Sequence, residues 1–286
     1  MCADSGPSSS TVTHVIPKGD HVGGVTSVGD DVFVVRYKSQ EKIEVYDANT
    51  FTFQRHITVP GLGNVSYGLA ACWYNKCLYA SDYYNYSIHR VGLDLSDSNA
   101  VRKWFMAGGP VGLSVNSDHN LLVVNGDERK LRIFTTLGTP LQDVQLQADI
   151  EGPYHAVQLS TGQFLISHCY CALHRVCLVG VDGAVVRSYG GQKGSQLTQM
   201  NCPAGLAVDR EGRVLVADWF NNRLLVIDQS LSSAHEMSVC VDGGLKGPRS
   251  LWYDQSRRRL CIGEASASGG RVIIIDNLKD FRSFTN

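Results

Sequence analysis

The densest group of potential metal ligands in the sequence is the segment SHCYCALHRVC, residues 167–177. It contains five imidazole or thiol side chains of the kind that zinc binds: His168, Cys169, Cys171, His174 and Cys177. The Cys-x-Cys spacing differs from the C-x₂₋₄-C pattern typical of zinc sites, and a thiol in a strand beside a loop also packs as a small apolar group. We therefore predict no metal site and no cofactor.

Other catalytic groupings are missing from the sequence pattern. No candidate nucleophile stands beside an evident base, no glycine-rich loop leads into a helix, and no carboxylate pair recurs. We therefore predict no catalytic residues. Cys72 and Cys77 flank the turn WYNK and could meet across a hairpin, and the sequence leaves open whether they form a disulfide.

Composition excludes several classes of function. The 286 residues carry a formal net charge of −1, which argues against a uniformly basic nucleic-acid binder. No run approaches the roughly 20 apolar residues of a membrane helix, so we expect no membrane partner. Residues 1–10 are serine-rich, lack a secretory signal and are predicted to be a flexible linker. Nine irregularly spaced cysteines without such a signal favour a cytoplasmic protein with mostly free thiols.

Short apolar runs recur along the chain at a regular interval. The run PAGLAV has relatives in YGLAAC, PVGLSV and PRSLWY, and weaker ones in GGVTSV and PYHAVQ. Their equivalent positions are 43 to 50 residues apart: Gly24, Gly68, Gly112, His155, Gly205 and Ser250. The spacing indicates six copies of one structural unit.

Each copy contains three apolar runs and a fourth, more polar one, as in LAV, RVLVAD, RLLVID and AHEMSV. A four-stranded antiparallel sheet cannot bury both of its faces alone, but sheets stacked around an axis can. We therefore predict an all-β fold, a six-bladed β-propeller of four antiparallel strands per blade, over residues 11–286. Residues 11–17 are predicted to supply the outer strand of the last blade, with the tail 280–286 as the competing segment.

One copy carries a family likeness. Residues 189–228, YGGQKGSQLTQMNCPAGLAVDREGRVLVADWFNNRLLVID, resemble an NHL repeat. The positions that match are Pro203, Gly205, Asp209, Gly212, Asp218, Asn221 and Arg223. The copy at Gly68 matches in part, since it keeps Asp82 and Asn85 but has Ser87 in place of the arginine, and the other copies keep only the framework. Within the matching copy, we interpret Asp218, Asn221 and Arg223 as a structural group that holds a loop.

The resemblance implies two kinds of function. NHL propellers are best known as recognition domains of tripartite-motif ubiquitin ligases, where they bind protein or RNA, and the RING domain of such a ligase has no counterpart in this sequence. Other NHL propellers occur in enzymes such as the amidating lyase. A metal-dependent lyase or hydrolase would need several histidines around the axis, and only His155 has such a position.

The residues that we predict to bind a ligand fall in the loops at one end of the propeller. Aromatic rings and arginines dominate this set, and both are favoured in binding hot spots. The set comprises Tyr37, Tyr67, Tyr83, Tyr84, Arg129, Tyr154, His155, Trp219, Phe220 and Arg249. Acidic and basic residues alternate among them, which favours a protein or peptide partner for a monomeric domain. Single-stranded RNA is the alternative ligand, because bases stack on aromatic rings.

Overall fold

The computed structural model describes residues 10–38, 40–64, 66–94, 101–170 and 172–278. It contains six four-stranded antiparallel sheets, which confirms the predicted all-β, six-bladed propeller. The one helix in these ranges is a single 3-10 turn, Trp219–Asn221. Among the described residues, no helix is long and apolar enough to span a membrane.

The first three blades follow the chain in order, each built from four consecutive strands. Blade 1 comprises Val22–Val28, Asp31–Arg36, Lys42–Asp47 and Phe53–Thr58. Blade 2 comprises Leu69–Cys72, Cys77–Asp82, Ser87–Gly92 and Val101–Phe105. Blade 3 comprises Pro110–Val115, Leu121–Asn125, Lys130–Phe134 and Pro140–Gln145.

Blades 4 and 5 repeat this arrangement. Blade 4 comprises Pro153–Gln158, Phe164–His168, Leu173–Val179 and Val185–Gln192. Blade 5 comprises Pro203–Val208, Val214–Asp218, Arg223–Ile227 and Ala234–Met237. Beyond blade 5, the short strand Val239–Cys240 pairs in parallel with Ser10–Thr11.

Blade 6 combines strands from distant parts of the chain. Its first three strands are Pro248–Asp254, Arg259–Glu264 and Gly270–Ile275, and its outer strand is His14–Gly19. His14 lies opposite Ile274 in antiparallel register. The outer strand thus begins three residues after the start of the predicted segment 11–17, and the competing tail 280–286 lies outside the described residues.

Six buried apolar clusters fill the six interfaces between neighbouring blades. Successive residues of a second strand point into opposite interfaces: Leu78 and Ala80 pack towards blade 1, whereas Tyr79 packs towards blade 3. Both faces of each sheet are therefore buried. This burial explains why the sequence has near-continuous apolar runs instead of alternating ones.

The first strands of the blades form a closed inner ring. Each contacts the first strands of both neighbouring blades, and blade 6 contacts blade 1. The approach is closest at the position that repeats in the sequence. A Cβ atom on Gly68 would lie 2.7 Å from the carbonyl oxygen of Val111, and one on Gly205 would lie 2.7 Å from that of Arg249. Glycine is needed there because the next blade's backbone occupies the space of a side chain.

Two blades carry a side chain at this position and use it as a hydrogen-bonding link. Ser250 Oγ accepts a hydrogen bond from Val25 N–H at 3.1 Å, which joins blade 6 to blade 1. His155 Nδ1 accepts from Leu206 N–H at 3.1 Å, and His155 Nε2 donates to the carbonyl oxygen of Leu113 at 3.1 Å. One imidazole thus joins blades 3, 4 and 5. Burial lowers the pKa of His155, which favours the neutral ring that this pattern requires.

The second strand of each blade ends in a buried polar residue that ties down nearby loops. In blade 5, Asp218 accepts hydrogen bonds from Asn201 N–H at 2.7 Å and from Asn221 Nδ2 and Arg223 Nε at 2.8 Å. Arg223 also donates to three carbonyl oxygens within residues 195–199. These bonds confirm the structural interpretation of the NHL-like polar group. The equivalent residues in the other blades, also buried, are Arg36, Asp82, Asn125, His168 and Glu264.

His168 is the histidine in this series of strand ends. It is fully buried, and Arg175 Nε donates a hydrogen bond to its Nε2 at 2.9 Å. Burial and the charge of Arg175 lower the pKa of His168 to about 4. The folded protein therefore holds a neutral imidazole at pH values where the same histidine is protonated in the unfolded chain.

We expect Gly68→Ala to lower the free energy of unfolding by about 3 kcal/mol, because the added methyl group collides with the backbone of blade 3. Gly191→Ala is the matched control, since no atom lies within 4 Å of a Cβ at that strand position. Denaturant unfolding of both variants measures the difference. Equal stabilities would contradict the close inner ring.

We expect stability to fall as the pH drops from about 6.5 towards 4, in part because unfolding lets His168 take up a proton. His155 and His235 act in the same direction, since burial lowers their pKa values too. His168→Gln keeps a hydrogen-bond acceptor for Arg175 and removes the titration. The loss of unfolding free energy across this window should be smaller by about 2 kcal/mol in the variant. Denaturant unfolding at several pH values checks this, and parallel pH profiles would refute it.

Candidate functional site

The predicted ligand residues come from two kinds of segment at one end of the propeller. In an antiparallel blade, the turn between the second and third strands lies at the same end as the start of the first strand. Tyr37, Tyr83, Tyr84, Trp219 and Phe220 lie in such turns, directly after second strands. The remaining rings, Tyr67 and Tyr154, precede or begin first strands. We call these seven residues the aromatic face.

One side of the aromatic face is a chain of four tyrosines in edge-to-face contact. The ring centroids of Tyr37 and Tyr67 are 5.6 Å apart, those of Tyr67 and Tyr83 are 5.2 Å apart, and those of Tyr83 and Tyr84 are 5.3 Å apart. Tyr83 Oη donates a hydrogen bond to Asp127 of blade 3 at 3.1 Å. Tyr84 ends the chain and is 67% exposed. The ring of Tyr84 is thus available to a ligand and is held by its contact with the packed tyrosines.

The other side is formed by the adjacent Trp219 and Phe220 of the 3-10 turn. Their rings are stacked, with centroids 4.6 Å apart, and Trp219 also contacts Tyr154 at 6.4 Å. Trp219 Nε1 donates a hydrogen bond to the carbonyl oxygen of Ala265 in blade 6 at 2.9 Å. Phe220 is 56% exposed. The turn therefore points one ring towards the next blade and presents the other to solvent.

Arg249 links the two sides. Its guanidinium carbon lies 5.0 Å from the ring centroid of Tyr37, 4.6 Å from Tyr67, 5.2 Å from Tyr154 and 4.7 Å from Trp219. Only 2% of the residue is exposed, and this burial lowers the pKa of Arg249 to about 9. The cation–π contacts partly replace the lost water. The residue that the sequence predicts to bind a ligand is thus buried among four rings of the aromatic face.

The other two predicted residues have different surroundings. His155 belongs to the inner ring of strands, where both of its nitrogens are hydrogen-bonded to backbone groups. Arg129 lies in the turn after the second strand of blade 3 and donates a hydrogen bond to the carbonyl oxygen of Ala148 at 3.0 Å. Sequence reasoning missed Gly109, whose backbone packs so closely against the Tyr83 ring that a Cβ atom would clash with it. The adjacent glycines at 108 and 109 are the sequence feature that could have indicated this close packing.

A central channel of about 970 Å³ runs along the propeller axis. The first strands of all six blades contribute to its walls, and the strand of blade 1 does so at its end, with Ser27 and Val28. Tyr67, Tyr154 and Arg249 line it at the aromatic face, and we call this end the channel mouth. The walls at the opposite end include Trp73 and Asp254.

The sequence favours mostly free thiols, and the structure departs from this expectation at Cys169 and Cys202. Cys169 and Cys202 form a disulfide, with Cα atoms 4.6 Å apart, because the loops of blades 4 and 5 lie side by side. Four other cysteines are buried free thiols: Cys72, Cys77, Cys177 and Cys261. Cys72 and Cys77 face each other across the hairpin of blade 2 without forming a disulfide.

The candidate zinc segment is thus divided among other roles. Cys169 is in the disulfide and His168 is hydrogen-bonded to Arg175, while Cys171 lies outside the described residues. Within the described ranges, no group of three or more His, Cys, Asp or Glu side chains has an arrangement that could hold a metal ion.

Comparison with known proteins gives one match in sequence and several in fold. Residues 200–227 match the family described as NHL repeat. No curated protein matches the chain. The catalytically inactive virginiamycin B lyase from Staphylococcus aureus, solved with quinupristin, is similar in structure, with a TM-score of 0.64 and 13% identity over 91% of this chain and 82% of that one.

Two further solved structures have nearly the same length as this chain. The β-propeller domain of Cps50 (Swd1) from Myceliophteria thermophila has a TM-score of 0.64 and 12% identity, over 94% of this chain and 99% of that one. Hydrazine synthase from Kuenenia stuttgartiensis has a TM-score of 0.65 and 13% identity over the same shares. At these identities the likeness shows the fold alone. The chain is a six-bladed β-propeller that contains a segment matching the NHL repeat.

Proposed function

We propose that the aromatic face is a docking surface for a peptide or a protein. The observation that carries this proposal is the pair of contacting ring groups, joined through Arg249, which end in two exposed side chains, Tyr84 and Phe220. Rings already held by their neighbours lose little conformational freedom on binding. They also bring a large apolar contact area.

The charges at this end of the propeller support a peptide over a polyanion. Glu128 pairs with Arg132 at 2.7 Å and with Lys130 at 3.6 Å, and Glu264 pairs with Arg271 at 2.7 Å. Carboxylates thus already pair with the lysine and arginine side chains that would otherwise bind the phosphates of a nucleic acid.

The NHL match at residues 200–227 supports the same class of function, since NHL propellers generally act as interaction modules. On the tripartite-motif resemblance, this surface would recognise the substrate of a ubiquitin ligase whose RING domain is supplied elsewhere. We assign no catalytic role to His155, because both of its nitrogens hold the inner ring together. Similarity to a lyase at 13% identity does not change that assignment.

The test begins with a phage-displayed library of random peptides selected on the immobilised protein. We expect the selected peptides to bind the double variant Tyr84→Ala, Phe220→Ala at least about tenfold more weakly, since truncating hot-spot rings typically has such an effect. Isothermal titration calorimetry measures the affinities. The thermal midpoint should stay within about 2 °C, because both rings are exposed.

Trp73→Ala is the matched control, because Trp73 is 69% exposed at the opposite end of the channel. It should bind the peptides as the wild type does. Wild-type affinity in the double variant would refute the proposal. Tighter binding of single-stranded oligouridylate at low salt, with a steep loss of affinity as salt rises, would replace it with RNA binding.

A further inference from the structure

Arg249 differs from the other buried arginines in having no polar partner. Arg36, Arg223 and Arg259 each pair with a carboxylate, namely that of Glu44, Asp218 or Asp276. The Arg249 guanidinium forms no hydrogen bond or ion pair with any described residue, and its Nε and Nη1 atoms are buried without an acceptor. Proteins rarely leave a buried charge unpaired, because desolvation of the ion is costly.

The surrounding rings do not meet this need. They attract the cation through their π electrons, but they provide no lone pair for its N–H groups. The pKa of Arg249 is lowered by burial alone, with no opposing contribution from an acidic neighbour.

A second unpartnered group lies beside the arginine. The Tyr154 hydroxyl is buried and has no hydrogen-bond partner among the described residues. Tyr154 contacts Arg249 through its ring, and both residues line the channel mouth. Two residues whose hydrogen-bond donors have no acceptor among the described residues thus line the same cavity.

We propose that Arg249 and the Tyr154 hydroxyl bind a carboxylate that the partner peptide inserts at the channel mouth. The guanidinium matches a carboxylate in shape and charge, since its parallel N–H groups can bind both oxygens. A single negative charge balances the single positive one, and the hydroxyl donates a further hydrogen bond. The inference rests on the proposed peptide-binding function and adds the chemical group that the peptide must carry.

The first experiment uses small probes, 3-phenylpropanoate and its neutral amide, titrated into the whole chain. We expect the carboxylate to bind at least about tenfold more tightly than the amide, as charge-assisted hydrogen bonds allow. Arg249→Met should abolish this preference, and Lys246→Met, which changes an exposed cation in the loop before the first strand of blade 6, should preserve it. Tyr154→Phe, which removes only the hydroxyl, should weaken carboxylate binding roughly threefold. If Arg249→Met fails to fold, Tyr154→Phe carries the test.

The second experiment identifies the source of the carboxylate. The library-selected peptides are prepared with a free C-terminus, with an amidated C-terminus, and with acidic side chains replaced by amides. One of the two replacements should weaken binding to the wild type at least about tenfold, and the same replacement should have no effect on binding to Arg249→Met. The replacement that matters distinguishes a terminal carboxylate from an aspartate or glutamate side chain.

The outcomes separate this inference from the proposed function. Peptides that need Tyr84 and Phe220 but bind equally well without any carboxylate would overturn the inference and leave the docking surface standing. Carboxylate probes that need Arg249, combined with peptides whose binding does not depend on Tyr84 and Phe220, would refute the docking surface. They would leave the carboxylate site standing. Inorganic phosphate that displaces the carboxylate probe at lower concentration than acetate does would also overturn the assignment.

Discussion

The close approach of the six first strands is the constraint on which the rest of the structure depends. At one position per blade, the neighbouring backbone leaves room only for glycine, as at Gly68 and Gly205. A side chain is accepted there only if it hydrogen-bonds to the neighbouring strand, as Ser250 and His155 do. This contact keeps neighbouring first strands close together in repeats whose sequences differ elsewhere.

A ring with this geometry brings together residues that are far apart in the sequence. The aromatic face receives rings from blades 1, 2, 4 and 5, and its central cation comes from blade 6. Neighbouring blades hold two of the rings by hydrogen bonds: Ala265 of blade 6 holds Trp219, and Asp127 of blade 3 holds Tyr83. The exposed members of the aromatic face stand on rings that are already packed.

The fold could be predicted from the sequence because the repeated positions are those at which the first strands of neighbouring blades come closest. Gly24, Gly68, Gly112 and Gly205 mark where strands approach, and apolar runs mark sheets buried on both faces. The grouping of the site aromatics also followed, since strand order fixes the end at which each loop lies. The burial of Arg249 could not be predicted, because it depends on how four blades converge over the axis. The same limit applies to the Cys169–Cys202 bond, whose residues are 33 positions apart in adjacent blades.

The pairing of His14–Gly19 with Gly270–Ile275 has a consequence for how the chain folds. Blades 1 to 5 can form from local hairpins as the chain leaves the ribosome, since their strands are consecutive. The segment around Ile16, which is fully buried in the finished ring, must wait for a partner synthesised some 250 residues later. Closing such a long loop has an entropic cost that only the final strand pairing offsets. Until then the nascent chain exposes an apolar strand edge, and this is the stage at which chaperones would protect it from aggregation.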